Sequence, residues 1–255
     1  MTKNGEDGMR FVRGLALTLA LMGLCGVGPA VAACGPDALG TSRTITLKRG
    51  AGGAFGTVQH AALPGLEKGE VVLTFDDGPV PVLTPQVLDA LKAECAKATF
   101  FMTGVNLDAH GDIARRAVAE GHSAGIHSYS HPHLGTLSDA AQLDDLARTQ
   151  AAYKRLFGVT AASYRFPFLE ETPVLLSALA HDGVAVFSID LAITDWQPAD
   201  TTALLAERLS KALDETGGGI ILMHDANKPT ADAIATLLRV IKQKGYRLVH
   251  VVWEG

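Results

Sequence analysis

The stretch VVLTFDDGP, residues 71–79, runs a short β-favouring segment directly into two adjacent carboxylates, a glycine and a proline. One aspartate at a strand end is an ordinary turn former; two need partners. From residue 70 onward, strand-like runs alternate with helix-like ones. The strand-like runs are 71–75, 98–104, 123–128, 163–167, 183–189, 219–224 and 246–252. Amphipathic segments at 84–94, 112–120, 138–156, 172–181, 201–214 and 230–243 lie between them, with Thr201 and Thr230 as N-caps and Gly245 as a helix stop. This alternation predicts an α/β fold with a mostly parallel sheet, open or closed into a barrel. In either form the chemistry gathers at the carboxyl ends of the strands.

The polar residues that end these runs are unusual. Asp76 and Asp77 end the first, His127 follows the third, Arg165 sits in the fourth, Asp190 ends the fifth, and His224 with Asp225 ends the sixth. All are expected at one rim. HSYSHPH, 127–133, adds His131 four residues after His127; on a helical turn that spacing puts both imidazoles on one side. Two imidazoles and one carboxylate form a common donor set for a divalent ion and leave positions open. If Asp77 completes that set, Asp76 is free to act as a general base toward water acidified by the ion. Gly78 and Pro79 make the sharp exit. His224 is the natural general acid for a hydrolysis, kept protonated by a neighbouring carboxylate. Asp195, in TDWQP, is the choice for that neighbour, with Asp190 and Asp225 as rivals. Arg165 is expected to pair with Asp76, holding it ionised and oriented.

The segment before residue 70 reads differently. Arg10 and Arg13 precede the apolar run LALTLALMGLCGVG, followed by AVAAC at 30–34. That order is the pattern of an export signal over residues 1–33, with Met9 as an alternative start and cleavage after Ala32 or Ala33. VAAC also resembles a lipobox, which would make Cys34 a lipidated first residue; a retained anchor is the third reading. The apolar run is short for a membrane span, and no stable span is expected after processing. Residues 34–68 read as an arm or long loop, and 69–255 as the catalytic domain. Once the signal is gone, Cys34 and Cys95 remain as one pair for an oxidising compartment; the other reading of Cys95 is a buried free thiol. The 255 residues, 47% of them hydrophobic, suit one compact domain. The net charge of −5 offers no basic footprint for nucleic acid.

In order, TFDDGP, HSYSHP, RFPF, the Asp-Trp of DWQ, and LMH resemble the five motifs of the polysaccharide deacetylase family, carbohydrate esterase family 4. The likeness covers roughly residues 69–252, and ATFF at 98–101 is similar to the family's second strand. The resemblance implies a distorted seven-stranded (β/α) barrel and a metal-dependent hydrolase. Its expected action is to remove acetyl groups from N-acetylglucosamine-containing chitooligosaccharide or peptidoglycan. It implies Asp76 as base, with Asp77, His127 and His131 as ligands of one divalent ion, zinc foremost, cobalt or manganese otherwise. It implies Arg165 as partner of Asp76, and His224 as acid tuned by Asp195. Trp196 and Leu222 would line the acetyl pocket, and the Phe168 backbone would hold the oxyanion. The expected protein is a monomer, exported to the periplasm or medium, that acts on acetylated oligo- or polysaccharide. The third motif departs from the family pattern at Phe168-Leu169, where Tyr-Gly is common; losing the glycine would narrow or re-aim the groove. His122 and His133 have no family role and read as packing or surface residues. An O-acetyl esterase of the acetylxylan type would use an almost identical centre. Cyclic-imide and allantoin-type hydrolases share the fold, and a non-catalytic sugar-binding relative would usually have lost a ligand or the base.

Overall fold

The structure is a computed structural model and describes residues 34–255; the expected export signal lies outside them. In chain order the elements are β1 (Arg43–Lys48), β2 (Ala54–Phe55), β3 (Glu70–Asp76), α1 (Leu83–Ala93), β4 (Thr99–Met102), α2 (Gly104–Ala109), α3 (Gly111–Ala119), β5 (Ser123–Ile126) and α4 (Asp139–Phe157). Then follow β6 (Ser163–Tyr164), α5 (Pro173–His181), β7 (Ala185–Phe187), β8 (Leu191–Ala192), α6 (Thr202–Thr216), β9 (Gly219–His224), α7 (Lys228–Gln243) and β10 (Arg247–Glu254). Every pairing between the strands is parallel.

β3 is the hub, flanked by β4 and β9 and buried along its whole length. A strand buried on both faces reads as a near-continuous apolar run, which is why VVLTF stood out. The period of two then separates its faces. Val71, Leu73 and Phe75 point outward into the core beneath the helices, whereas Val72 belongs to the inner core with Phe101, Phe187 and Ile220. Each such side chain contributes about 1.5–3 kcal/mol by leaving water. Asp76 continues the inward series. The register sets it opposite Phe101 on β4 and His224 on β9, so two reactive side chains reach the barrel mouth on adjacent strands.

Seven strands, ordered β8-β9-β3-β4-β5-β6-β7, form the distorted barrel, but they are not the seven expected from the runs. The run 183–189 yields β7 alone, and the seventh barrel strand, β8, lies beyond it. β7 ends at Phe187, the chain bends, and β8 restarts beside β9. Asp190 makes that bend, accepting hydrogen bonds from Thr57 N at 2.6 Å and Ile220 N at 2.7 Å. It therefore sits at the start of β9, at the other end of that strand from His224, and not at the rim where it was expected. The run 246–252 becomes β10, which pairs β3 only through Arg247 and Leu248 and otherwise pairs β1. β1 in turn comes from the arm, where an arm or long loop was expected.

Among the described residues no ladder joins β7 to β8. β2 pairs β7 on this side (Ala54↔Val186, Phe55↔Phe187), and the turn after it packs on Ser188 and Ile189. Cys34 and Cys95 are disulfide-bonded, with Cα atoms 5.9 Å apart, tying the start of the arm to the end of α1. Thr201 caps α6, its hydroxyl accepting from Leu204 N at 3.3 Å. Thr230 does not cap α7, which starts two residues earlier behind Asn227; its hydroxyl is used in the site described below. No described helix is long and apolar enough to cross a membrane.

Gly56 marks a tight packing of the arm on the barrel. A Cβ there would lie 2.5 Å from both Ile189 N and Ser188 C, at φ +112°. Gly56→Ala is therefore expected to lower stability by about 1–3 kcal/mol or more, measured by urea unfolding. An unchanged midpoint would mean the arm is not seated against β7.

Candidate active site

The residues after β3 explain why two aspartates stand together. Asp76 is the last inward position of the strand. Asp77 has left it, in a left-handed conformation (φ 77°) that swings its carboxylate toward the same cavity. Gly78 follows because there is no room for a side chain: a Cβ would fall 2.0 Å from Asp225 Oδ2. Asp225 is buried and accepts from the Thr84 hydroxyl. Burial pushes its carboxyl up to about 7, with Thr84 opposing and the Asp77 charge adding. It braces the strand exit and does not partner His224.

His127 and His131 converge on Asp77, but not through a helical turn. His127 directly follows β5, and a loop carries the chain onward with Ser128 and His131 both left-handed (φ 60° and 57°). The Ser128 hydroxyl accepts from His131 N at 2.9 Å, and Asp145 on α4 accepts from Tyr129 N at 2.9 Å. These contacts fold the loop back so that both rings face one point. His127 Nδ1 donates to the Arg165 carbonyl at 2.8 Å, leaving Nε2 as the free lone pair. Burial pulls His127 down to about 3 against the pull of Asp77, so the imidazole is neutral near pH 7.

Asp77 Oδ1 lies 3.5 Å from His127 Nε2 and 3.4 Å from His131 Nε2. It is buried and has no hydrogen-bond partner, an arrangement that costs about 1–3 kcal/mol unless something completes it. One donor atom from each residue lies within 4.8 Å of the others. A divalent cation fits this set of a carboxylate and two imidazoles, and three protein ligands leave coordination positions open.

Asp76 is held differently. Its Oδ1 accepts from Arg165 Nη1 at 2.8 Å, and its Oδ2 stands 3.7 Å from His127 Nε2, turned toward the three-donor set. Arg165 is 0% exposed. Its guanidinium also donates to Thr74 Oγ1 at 2.8 Å, the Phe187 carbonyl at 3.2 Å and the Ser188 carbonyl at 3.1 Å. The Phe101 ring lies beneath it, 4.3 Å from Cζ. Burial pushes the Asp76 carboxyl up, and Arg165 pulls it back. Thr74 was not singled out in the sequence, although it is the inward residue two before Asp76.

Across the mouth, His224 Nδ1 donates to Asp195 Oδ1 at 2.7 Å, and His224 N donates to Asp195 Oδ2 at 2.8 Å. The Thr230 hydroxyl also donates to Asp195 Oδ2, so both carboxylate oxygens are engaged. Burial works against the charged imidazole. The Asp195 hydrogen bond and charge, with smaller contributions from Asp76 and Asp77, outweigh it and carry His224 up to about 9. Of the three rival carboxylates, Asp195 is the one beside the ring.

Asp76, His127 and His224 line a cleft of about 500 Å³ whose apolar walls include Phe166, Phe168, Ile189, Trp196 and Leu222. Trp196 stands edge-on to His224 with ring centroids 5.9 Å apart. Phe168 packs against His131 at 4.4 Å and is stacked on its other neighbour, His133, at 4.0 Å. His133, read as a packing or surface residue, therefore backs the cleft wall, and Glu170 accepts from its Nδ1 at 3.0 Å. His122 is buried elsewhere, edge-on to Phe100. Of the helpers, Thr74 carried no sequence signal beyond its inward place, Thr230 reads only as a helix cap, and Asp225 reads as a rival partner for His224.

Residues 64–187 match the family model described as polysaccharide deacetylase. The chain is 35% identical to a chitin deacetylase of Colletotrichum lindemuthianum over 72% of its own length and 79% of that protein. It is 32% identical to the peptidoglycan-N-acetylglucosamine deacetylase PgdA of Listeria monocytogenes, over 71% of this chain but only 38% of that one. Among solved structures, a peptidoglycan deacetylase of Bdellovibrio bacteriovorus superposes with a TM-score of 0.73 at 28% identity, covering 86% of this chain and 61% of the other.

Arg165→Met keeps bulk but leaves Asp76 buried and unpaired. It is expected to cost about 3–5 kcal/mol at pH 7 in urea unfolding. Without Arg165, burial acts on Asp76 with its main counterweight gone and raises the carboxyl further, so the deficit should shrink as pH falls and the carboxyl is neutralised. A deficit independent of pH would place its origin elsewhere than Asp76.

Proposed function

Since the chain belongs to the polysaccharide deacetylase family and is a metal-dependent hydrolase, we propose that it removes acetyl groups from N-acetylglucosamine units of chitooligosaccharide or peptidoglycan. The observation that carries this reading is the opposition of two groups in register. Asp76 and His224 face each other across adjacent strands, beside the Asp77–His127–His131 set and above an apolar pocket. The printed activities of the relatives, on chitin and on peptidoglycan N-acetylglucosamine, support an acetamido sugar as substrate.

Asp77, His127 and His131 would hold the ion, which we take to be zinc; when bound it supplies Lewis acidity toward water and the acetyl carbonyl. The residues of the chain do the rest. Leu222 and Trp196 receive the acetyl methyl and exclude water. Asp76, ionised against Arg165, takes a proton from the attacking water through Oδ2. The Phe168 N–H donates to the oxygen that gains negative charge, where a fixed donor contributes most. His224 gives its proton to the departing nitrogen, so acetate and a free amine leave. An amide nitrogen is a far poorer anionic leaving group than a sugar alkoxide, so a protonated donor at His224 matters more for amide than for ester cleavage. The export pattern of residues 1–33 and the Cys34–Cys95 bridge support a periplasmic or extracellular enzyme.

Acetate release from chitopentaose, peptidoglycan fragments and acetylated xylan tests the reading. Release should vanish on chelation and return with Zn²⁺. Asp76→Asn should lower it by about 100-fold or more with metal content unchanged. Preference for the xylan would favour the O-acetyl esterase instead, and no release from any of the three would count against the hydrolytic assignment.

The alkaline limb of the pH profile gives a second test. His224 is protonated below about 9, so activity should persist at neutral pH and fall as pH rises through the pKa of the loaded enzyme. A cation on Asp77 cancels that carboxylate's contribution and sets the limb lower than in the metal-free protein. Asp195→Asn removes the main raising influence, and the limb should move down by about one pH unit or more. An alkaline limb unmoved by that substitution would exclude His224 as the acid.

A further inference from the structure

The arm residues after β2 are in contact with the site, although no motif includes them. They run along the gap between β7 and β8, with Ser188 N donating to the Phe55 carbonyl at 2.7 Å and Val58 N donating to the Ile189 carbonyl at 3.0 Å. Ile189 is itself a wall of the cleft. From this segment Gln59 reaches two ways. Its Oε1 accepts from the buried Ser188 hydroxyl at 2.7 Å, and its Nε2 donates to the Leu169 carbonyl at 2.8 Å. Next to it, His60 Nε2 is bonded to Glu171 Oε1 at 2.6 Å.

The loop so clasped is the strained one. Phe168 and Leu169 are consecutive non-glycine residues in the left-handed region, φ 56° and 58°. Side-chain-bearing residues keep such a conformation only where the surroundings hold it. Leu169 stands where the family pattern commonly has glycine, so this chain needs an external hold that a glycine would need less. The hold is continuous with the catalytic pair. Asp76 is bonded to Arg165, Arg165 to the Ser188 carbonyl, the Ser188 hydroxyl to Gln59, and Gln59 to Leu169.

We propose that Gln59 is a positioning residue, fixing the Leu169 carbonyl and through it the Phe168 peptide relative to the Asp76–Arg165 pair. It acts through Phe168 and does not touch the reacting atoms. The arm thereby completes the active site. The inference rests on the reading of the Phe168 N–H as the oxyanion donor.

The test uses the full chain loaded with zinc. Gln59→Ala should lower kcat for acetate release by about 10- to 100-fold, the scale of a slightly misplaced group, with KM within about threefold and metal content and unfolding midpoint unchanged. Gln59→Glu retains the acceptor for Ser188 but loses the donor to Leu169, so it should be equally impaired. Ser188→Ala should share the defect, and the double variant Gln59→Ala/Ser188→Ala should be no worse than Gln59→Ala alone. Independent of activity, the ¹⁵N–¹H resonances of Phe168 and Leu169 should move in Gln59→Ala. Unmoved resonances would overturn the proposal. Moved resonances with full kcat would instead overturn Phe168 as the donor, and the catalytic role of Gln59 with it.

Discussion

The buried ion pair between Arg165 and Asp76 is the interaction on which the rest of the site depends. A carboxylate this deep in a barrel would take up a proton if left alone, and a neutral carboxyl is no base. Arg165 opposes that uptake, and it can do so only because Thr74, two backbone carbonyls and the Phe101 ring hold the guanidinium in place. The same residue's backbone carbonyl orients His127. One residue of β6's exit therefore sets both the base and the tautomer of a ligand.

Opposite charge logic applies across the mouth. Asp195 is engaged by the His224 ring, the His224 backbone and Thr230, and it raises the imidazole where Arg165 restrains the carboxyl. Two titratable groups on neighbouring strands are thus pushed toward opposite tasks by partners that do not meet the substrate. The apolar wall between them, with Phe168 52% and Trp196 50% exposed, gives that pair a cleft rather than a surface. Preorganisation here is mostly a matter of hydrogen bonds behind the reacting atoms.

Much of this could be read from residues. A run buried on both faces that ends in Asp-Asp, a second that ends in His with another four on, and a third that ends in His-Asp point to one rim whatever the sheet's closure. The pairings of Asp76 with Arg165 and of Asp195 with His224 were legible too; what could not be read was where some neighbouring polar residues would go. Asp190 ends a run as plainly as Asp76 does, yet it caps the start of β9, because the chain bends after β7 and begins a strand two residues long. Thr230 looks like a helix cap and is instead a clamp on Asp195. His133 looks idle and backs the cleft wall. In each case the deciding neighbour is distant in sequence, so no local pattern carries it.

The sequence by itself determined the parallel α/β class and the inward alternation that aims Asp76, since these follow from periodicity; the three donors were legible from side-chain chemistry and a family resemblance, although the helical turn expected to join the two imidazoles is a loop. Only the tertiary structure decided how the barrel closes and what holds the Phe168 loop. Those depend on the arm, whose Gly56 lies against Ile189 and whose Gln59 bridges Ser188 and Leu169. The physical reason is range: periodicity records which face a residue shows to the core, whereas hydrogen-bond partners more than 100 residues apart are chosen by packing.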